Sequence, residues 1–344
     1  MLEIDGSQKS GSGTILRLSI ALAGILNEPL HIYNIRHKRK QPGLRPQHLQ
    51  SVLTAAKLCN AETEDAKLGS RELWFKPNGI ITGEVKAEIG TAGSISMLLL
   101  TVLPICACAK GDISVHVVNG GTDVRYAPTI NYIKHVLLPT LELMGLKASL
   151  TIKKFGYYPK GRGEVILNVN NKSELTPLSI TEFGKIETIE GISVCTFLTK
   201  QRVAERQAEA ATRILRNKGY DAEIKVVNDK SNPHQKGSSI ALWAKTSKGT
   251  IVGGDAIGEL RKSSEAVGKE ATEKLLKEIE AHATVDVHLA DMLVPYVALA
   301  KGTSIYTTRK ITDHIDTNIW FVEKILGTKI KVTKVGSIYE IKKS

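Results

Sequence analysis

The side chains best suited to phosphate chemistry fall in three stretches of the sequence. His314 stands in Thr312-Asp-His-Ile-Asp-Thr-Asn318, a polar island between the strand-like segment Ser304 to Thr308 and the apolar stretch Ile319 to Leu326. Neutral imidazole is a competent nucleophile near pH 7, because an ordinary pKa of about 6.5 leaves one nitrogen unprotonated. Spacing alone leaves the role open, since a lone histidine with no Ser or Cys nucleophile motif beside it more often serves structure. The other histidines, among them His31, His116 and His135, form no His-x₃-His or His-Glu-x₂-His pattern, so a histidine-clustered metal site is not expected.

The second stretch, Arg36-His-Lys-Arg-Lys-Gln-Pro-Gly-Leu-Arg45, holds five Lys/Arg in ten residues and runs into Gln47-His48 at a helix start. A triphosphate or an RNA backbone needs such a concentration of donors. Pro42-Gly43 fixes the run as a loop rather than an exposed helix. Arg36 and Arg39 are too polar in context to be core, so they are expected to act on phosphate charge rather than on folding. The third stretch, Gly6-Ser-Gln-Lys-Ser-Gly-Ser-Gly13, precedes a helix and could aim backbone N–H groups at phosphate. It matches neither the Walker pattern nor the dinucleotide fingerprint, and an ordinary tight turn fits it as well. Arg17, in the first turn of the following helix, favours the phosphate reading.

These groups need a scaffold. Strands are expected at Leu2 to Ile4, Glu84 to Ile89, Ile113 to Val118, Lys147 to Lys153 and Gly163 to Val169. Helices are expected at Thr14 to Leu26, Pro46 to Leu58, Ser96 to Ala109 with a kink at Pro104, and Pro128 to Met144. From Asn171 to Gly184 the hydrophobic period is lost. Beyond it come strands near 192–197, 222–227, 239–244 and 250–256 and helices near 203–217 and 263–282, a small α/β unit. Because further strands and helices follow to Ser344, that unit is expected to interrupt a larger one. The class is α+β, in α/β layers, with a discontinuous domain of 1–183 and 284–344 and an inserted domain of 184–283.

Of the 344 residues, Lys+Arg outnumber Asp+Glu by 47 to 35, for a net charge of +12, a balance that favours a polyanionic partner. The four cysteines are too few and too irregular for a disulfide framework, and Cys106-x-Cys108 lies in an apolar run without a second ligand pair, so all four read as thiols in a reducing, cytoplasmic setting. No signal peptide is expected. The longest apolar run, Ile95 to Ala109, contains Pro104 and is too short to span a bilayer.

Taken together, the motifs resemble the RNA 3′-terminal phosphate cyclase family along nearly the whole chain. The resemblance rests on Asp5-Gly-Ser-Gln, Leu16-Arg17, Arg36, Arg39, Pro42-Gly-Leu and Gln47-His48. It continues through Gly90-Thr-Ala-Gly-Ser94, Gly120-Gly-Thr-Asp123, Ala127-Pro128, Gly156-Tyr-Tyr-Pro159, Val203-Ala-Glu205 and Gly258-Glu259. It ends on Asp286, His288-Leu-Ala-Asp291 and His314 with Thr317-Asn318.

The resemblance implies a large domain of repeated βαβαββ units with a smaller inserted α/β domain, and a covalently adenylated His314. It implies that Arg17, Arg36, Arg39, Gln47 and His48 line a phosphate site. Leu100, Pro128, His288, Leu289, Ala290, Asp291 and Met292 would lie around the nucleotide. The implied cofactor is ATP with a divalent cation, magnesium or manganese, and the implied partners are RNA 3′-phosphate ends, which would be closed to 2′,3′-cyclic phosphates. Three positions depart from the family pattern: Ser10 replaces a metal-binding Glu of the first loop, Leu100 a Gln, and Met292 a Gln. The alternative is a non-catalytic cyclase-like RNA-binding factor of ribosome maturation, a kind of relative that lacks the histidine. A small-metabolite transferase on the related fold accords poorly with the basic cluster at 36–45.

Overall fold

The computed structural model describes residues 1–170 and 174–344. The chain begins with β1 (Leu2–Asp5), α1 (Gly13–Leu26), β2 (Leu30–Tyr33), α2 (Pro46–Leu58), β3 (Glu62–Glu64) and β4 (Leu73–Lys76). These strands form one sheet in the order β1-β2-β4-β3, with β1 and β2 parallel and the remaining pairs antiparallel. The succession then repeats. β5 (Gly83–Glu88), α3 (Ile95–Ala107) and β6 (Ile113–Gly120) lead into a helical stretch, followed by β7 (Lys147–Lys154) and β8 (Gly163–Asn170). That stretch runs from α4 (Ile130–Tyr132) through a π turn, Ile133–Leu137, into α5 (Leu138–Glu142). The sheet order, β5-β6-β8-β7, and its one parallel pair copy the first unit.

A third unit is split. At Ser179 the chain makes a parallel bridge to Ile305, the place of a first strand, and then departs. It builds β9 (Ile186–Thr196), α6 (Val203–Asn217), β10 (Glu223–Asp229), β11 (Gly237–Thr246), β12 (Ile251–Ile257) and α7 (Ser264–Ala281), a sheet of order β10-β9-β11-β12. The chain returns with α8 (Val287–Leu299), β13 (Ser304–Thr308), α9 (Asp313–Leu326), β14 (Ile330–Val335) and β15 (Ile338–Lys343), ordered β13-β15-β14. With the Ser179 bridge this is βαβαββ again, opened between its first strand and its first helix. The segment where periodicity lapses, 171–184, holds that bridge, and residues 171–173 of it lie outside the described residues.

The helices of the three units share one core. α1 packs on α2, α3 and α9, and α3 packs on α8. α3 is buried nearly all round, which explains its uninterrupted apolar sequence. A separate apolar cluster, including Ile189, Leu215, Leu242, Val267 and Leu275, lies among β9, β11, α6 and α7. Asp286, buried as the N-cap of α8, joins the two regions. It accepts from the backbone of His288 and Leu289, from Tyr132 Oη at 2.8 Å and from Gly253 N at 2.9 Å.

Several elements depart from the expected pattern. β2, β3 and β4 are strands of three or four residues, shorter than periodicity can register. Pro128 to Met144 is broken by the π turn and buried on most sides rather than amphipathic. Cys59, Cys106 and Cys195 are buried free thiols and Cys108 is half-buried, as small core residues would be. Among the described residues no helix is long and apolar enough to cross a membrane.

Candidate active site

A cleft of about 440 Å³ opens where α1, α3, α8 and α9 converge. His314 lies in the first turn of α9, whose start is set by Thr312: its hydroxyl accepts from Ile315 N at 3.1 Å. The imidazole Nδ1 is 3.3 Å from Thr14 Oγ1, and Arg17 Nη2 donates to the same oxygen at 2.9 Å. A threonine oxygen can accept twice, so Nδ1–H can donate to it and leave the Nε2 lone pair free. Burial, then the charges of Arg17 and Arg39, hold the His314 pKa below its ordinary value. Its imidazole is therefore neutral at pH 7.

The first loop is fastened to α9 by more than this contact. Thr317 Oγ1 accepts from Ser10 N at 3.3 Å, and Lys9 Nζ pairs with Asp316 at 3.0 Å. On the opposite wall, Pro295 interrupts α8 and removes the N–H that would bond the carbonyl of Asp291. Asn318 of α9 supplies the missing donor, its Nδ2 reaching Asp291 O at 2.8 Å. The Asn318 Oδ1 on the same amide is buried and has no partner among the described residues. A buried orphan acceptor at a cleft wall is fitted to receive a ligand donor.

The expected site residues separate into three groups. His314, Arg17, Leu100, Pro128, His288, Asp291 and Met292 all line the cleft. Leu289 and Ala290 do not: both are fully buried in the core, because helical spacing carries 288, 291, 292 and 295 to one face and turns 289 and 290 away. Arg36, Arg39, Gln47 and His48 flank the cleft. A Cβ on Gly13, at the start of α1, would lie 2.6 Å from His48 Nε2, so a side chain there would push the imidazole out of place. Burial among Arg36, Arg17, Arg45 and Arg39 lowers the His48 pKa to about 3. Gln47 Oε1 accepts from Ser94 N at 2.8 Å, the cap residue of α3.

Arg36 corrects the expectation that it has no part in folding. Its Nη1 donates to the carbonyls of Gln41 and Gly43, both at 2.8 Å, and so closes the basic loop on itself. Arg39 is exposed and free to face a ligand.

Motif reading missed Thr14, Met97, Tyr126, Asp255 and Lys274, which also line the cleft. Asp255 and Lys274 come from β12 and α7, more than a hundred residues from Arg17, and no local spacing links them. Lys274 Nζ donates to Asp255 O at 2.7 Å, and the Asp255 carboxylate accepts from Thr129 N at 2.7 Å. Enclosure raises the Asp291 pKa to about 7, with His288 and Arg17 opposing it.

The apolar walls Leu18, Met97, Leu100, Pro128 and Pro295 suit a heterocyclic base, and Arg17 suits a phosphate. For a metal ion the residues offer less. Among the described residues no group of three or more His, Cys, Asp or Glu side chains could hold one, and Ser10 Oγ lies 3.0 Å from Ser12 Oγ.

The cleft, with a histidine of lowered pKa and a half-buried arginine above an apolar floor, is carried on three copies of one βαβαββ unit, which defines an α+β protein of repeated units. A profile of the family "RNA 3′-terminal phosphate cyclase" matches residues 8–332, and the chain belongs to that family. It is 44% identical to the RNA 3′-terminal phosphate cyclase of Pyrobaculum neutrophilum over 342 residues, which is 99% of this chain and 97% of the relative. Identity is 42% to the protein so named in Pyrobaculum aerophilum, with the same coverage, and 40% to that of Methanosarcina mazei, covering 99% of each chain.

Proposed function

We propose that the protein converts RNA 3′-phosphate ends to 2′,3′-cyclic phosphates at the expense of ATP, through AMP carried on His314. The observation that carries this reading is the neutral His314 imidazole held by Thr14 beside Arg17, in a chain whose relatives bear the cyclase name.

His314 Nε2 attacks the α-phosphorus of ATP, and pyrophosphate leaves with the electrons of the broken P–O bond. Arg17 and Arg39 stabilise the charge that spreads over the phosphate oxygens. A terminal oxygen of the RNA 3′-phosphate then attacks the same phosphorus. The P–N bond breaks, and the imidazole leaves once it is protonated. Finally the neighbouring 2′-hydroxyl attacks the activated 3′-phosphorus and AMP departs. This last step is intramolecular, and well-oriented internal attack can reach effective molarities of about 10⁵ M or more. No step is assigned to a protein-held metal; a divalent cation would arrive on the ATP phosphates.

The end group tests the reading. A strand ending in a 2′-deoxy sugar with a 3′-phosphate lacks the closing nucleophile and should accumulate the adenylated end, seen as a gel shift. The ribose-ended strand should become phosphatase-resistant. A ribose end that stays open and phosphatase-sensitive after adenylation would rule out cyclisation, and no adenylate on either strand would favour a non-catalytic RNA-binding factor.

A further inference from the structure

A second polar groove, of about 630 Å³, is lined by Lys154, Lys160, Arg162, Asn119, Glu88, Gly90 and the segment 231–234. Much of it comes from three stretches that the proposed chemistry does not use: the end of β5 with Gly90, the end of β6 and the loop Gly156–Gly163. This loop is rigid. A Cβ on Gly161 would lie 2.7 Å from Thr91 O and 2.9 Å from the carbonyl carbon of Gly120, so backbone presses on backbone. Buried Asn232 donates to the carbonyls of Phe155 at 2.6 Å and Gly161 at 3.1 Å, fastening the loop from the other side.

Beside Pro159, the loop exposes Tyr158, which is 80% exposed, Lys160 and Arg162. Lys154 is neutralised by Glu164 at 2.8 Å, and Glu88 is engaged by Asn119. Lys160 and Arg162 have no carboxylate partner among the described residues. The groove is tied to the cleft along the chain. Gly90 and Asn119 line the groove, while Met97 and Tyr126, seven residues further along the same two segments, line the cleft. Seven residues span at most about 25 Å.

We infer that Lys160, Arg162 and Tyr158 form an RNA-holding platform that grips the strand a few nucleotides upstream of the 3′ end. The two unpaired cations take backbone phosphates, and the tyrosine ring stacks on a base, the combination by which single strands are held without sequence preference. The inference rests on the reading of the cleft as the site for the RNA end.

The test compares two 3′-phosphorylated RNAs, one about 12 nucleotides long and one a dinucleotide, which has no upstream nucleotides for the platform to grip. Lys160→Ala/Arg162→Ala should raise the Kd of the long strand about tenfold or more and reduce the slope of log K against log salt by about 1.4, two phosphates' worth. Lys160→Arg/Arg162→Lys keeps both charges and should restore the slope. Tyr158→Ala should weaken long-strand binding about fivefold or more without changing the slope. Cyclisation of the dinucleotide and self-adenylation by ATP should be unaltered in all three variants. A double alanine variant that binds the long strand with wild-type Kd and slope overturns the inference, as does one that loses ATP labelling with RNA binding intact. Failure of the reading of the cleft is separately visible, as absence of ATP labelling in the wild type.

Discussion

His314 is kept unprotonated by its surroundings, and this has a measurable signature. Burial and two cations disfavour the imidazolium, so its folded pKa lies below 6.5 and the neutral fraction survives to lower pH than in a free histidine. Self-adenylation, which needs the neutral form, should rise with pH along an acid limb whose midpoint is below 6.5. Removing Arg39 removes one of the opposing charges, so Arg39→Ala should lower the plateau and move the limb upward toward 6.5. A limb unchanged in Arg39→Ala would mean that Arg39 does not act on His314. The two arginines should also part company in stability. Arg39→Ala should stay within about 0.5 kcal/mol of wild type by denaturant unfolding, as surface changes do. Arg36→Ala, which frees the carbonyls of Gln41 and Gly43, should cost about 1–2 kcal/mol.

The clasp between α8 and α9 governs the cleft at the level of elements. Pro295 leaves Asp291 O without a helical donor and Asn318 fills the gap, so α8 takes one of its bonds from α9. Asn318→Ala should cost about 1–3 kcal/mol and slow adenylation, because His314 lies one turn earlier on α9. Normal labelling in a variant destabilised by that amount would separate the clasp from the chemistry. The sequence announced some of this and concealed the rest. α2 and α6 were legible to the residue because an apolar stripe recurs at helical spacing between clear stops. α8 was not, because Pro295 and the polar His288 and Asp291 break any stripe. In the cleft, Arg17 and His314 could be found from motifs. Thr14, Asp255 and Lys274 could not, since their proximity is made by packing and by the return of a distant segment.

Over the whole molecule, one unit repeated three times brings α1, α3 and α9 together, and the opening in the third unit lets β12 and α7 reach the cleft wall. We propose that 1–183 and 284–344 form one discontinuous domain and 184–283 another, on the ground that the latter has its own apolar cluster and its own sheet. Expressed alone, 184–283 should unfold cooperatively in denaturant; a non-cooperative loss of signal would contradict the division. In the function proposed for the whole molecule, His314 carries AMP. Incubating the protein with ATP labelled at the α-phosphate and separating it by denaturing electrophoresis tests this most directly. Label should be retained on the wild-type chain, lost in acid, stable in alkali as a P–N bond requires, and absent from His314→Ala; full labelling of His314→Ala would contradict a histidine-bound AMP.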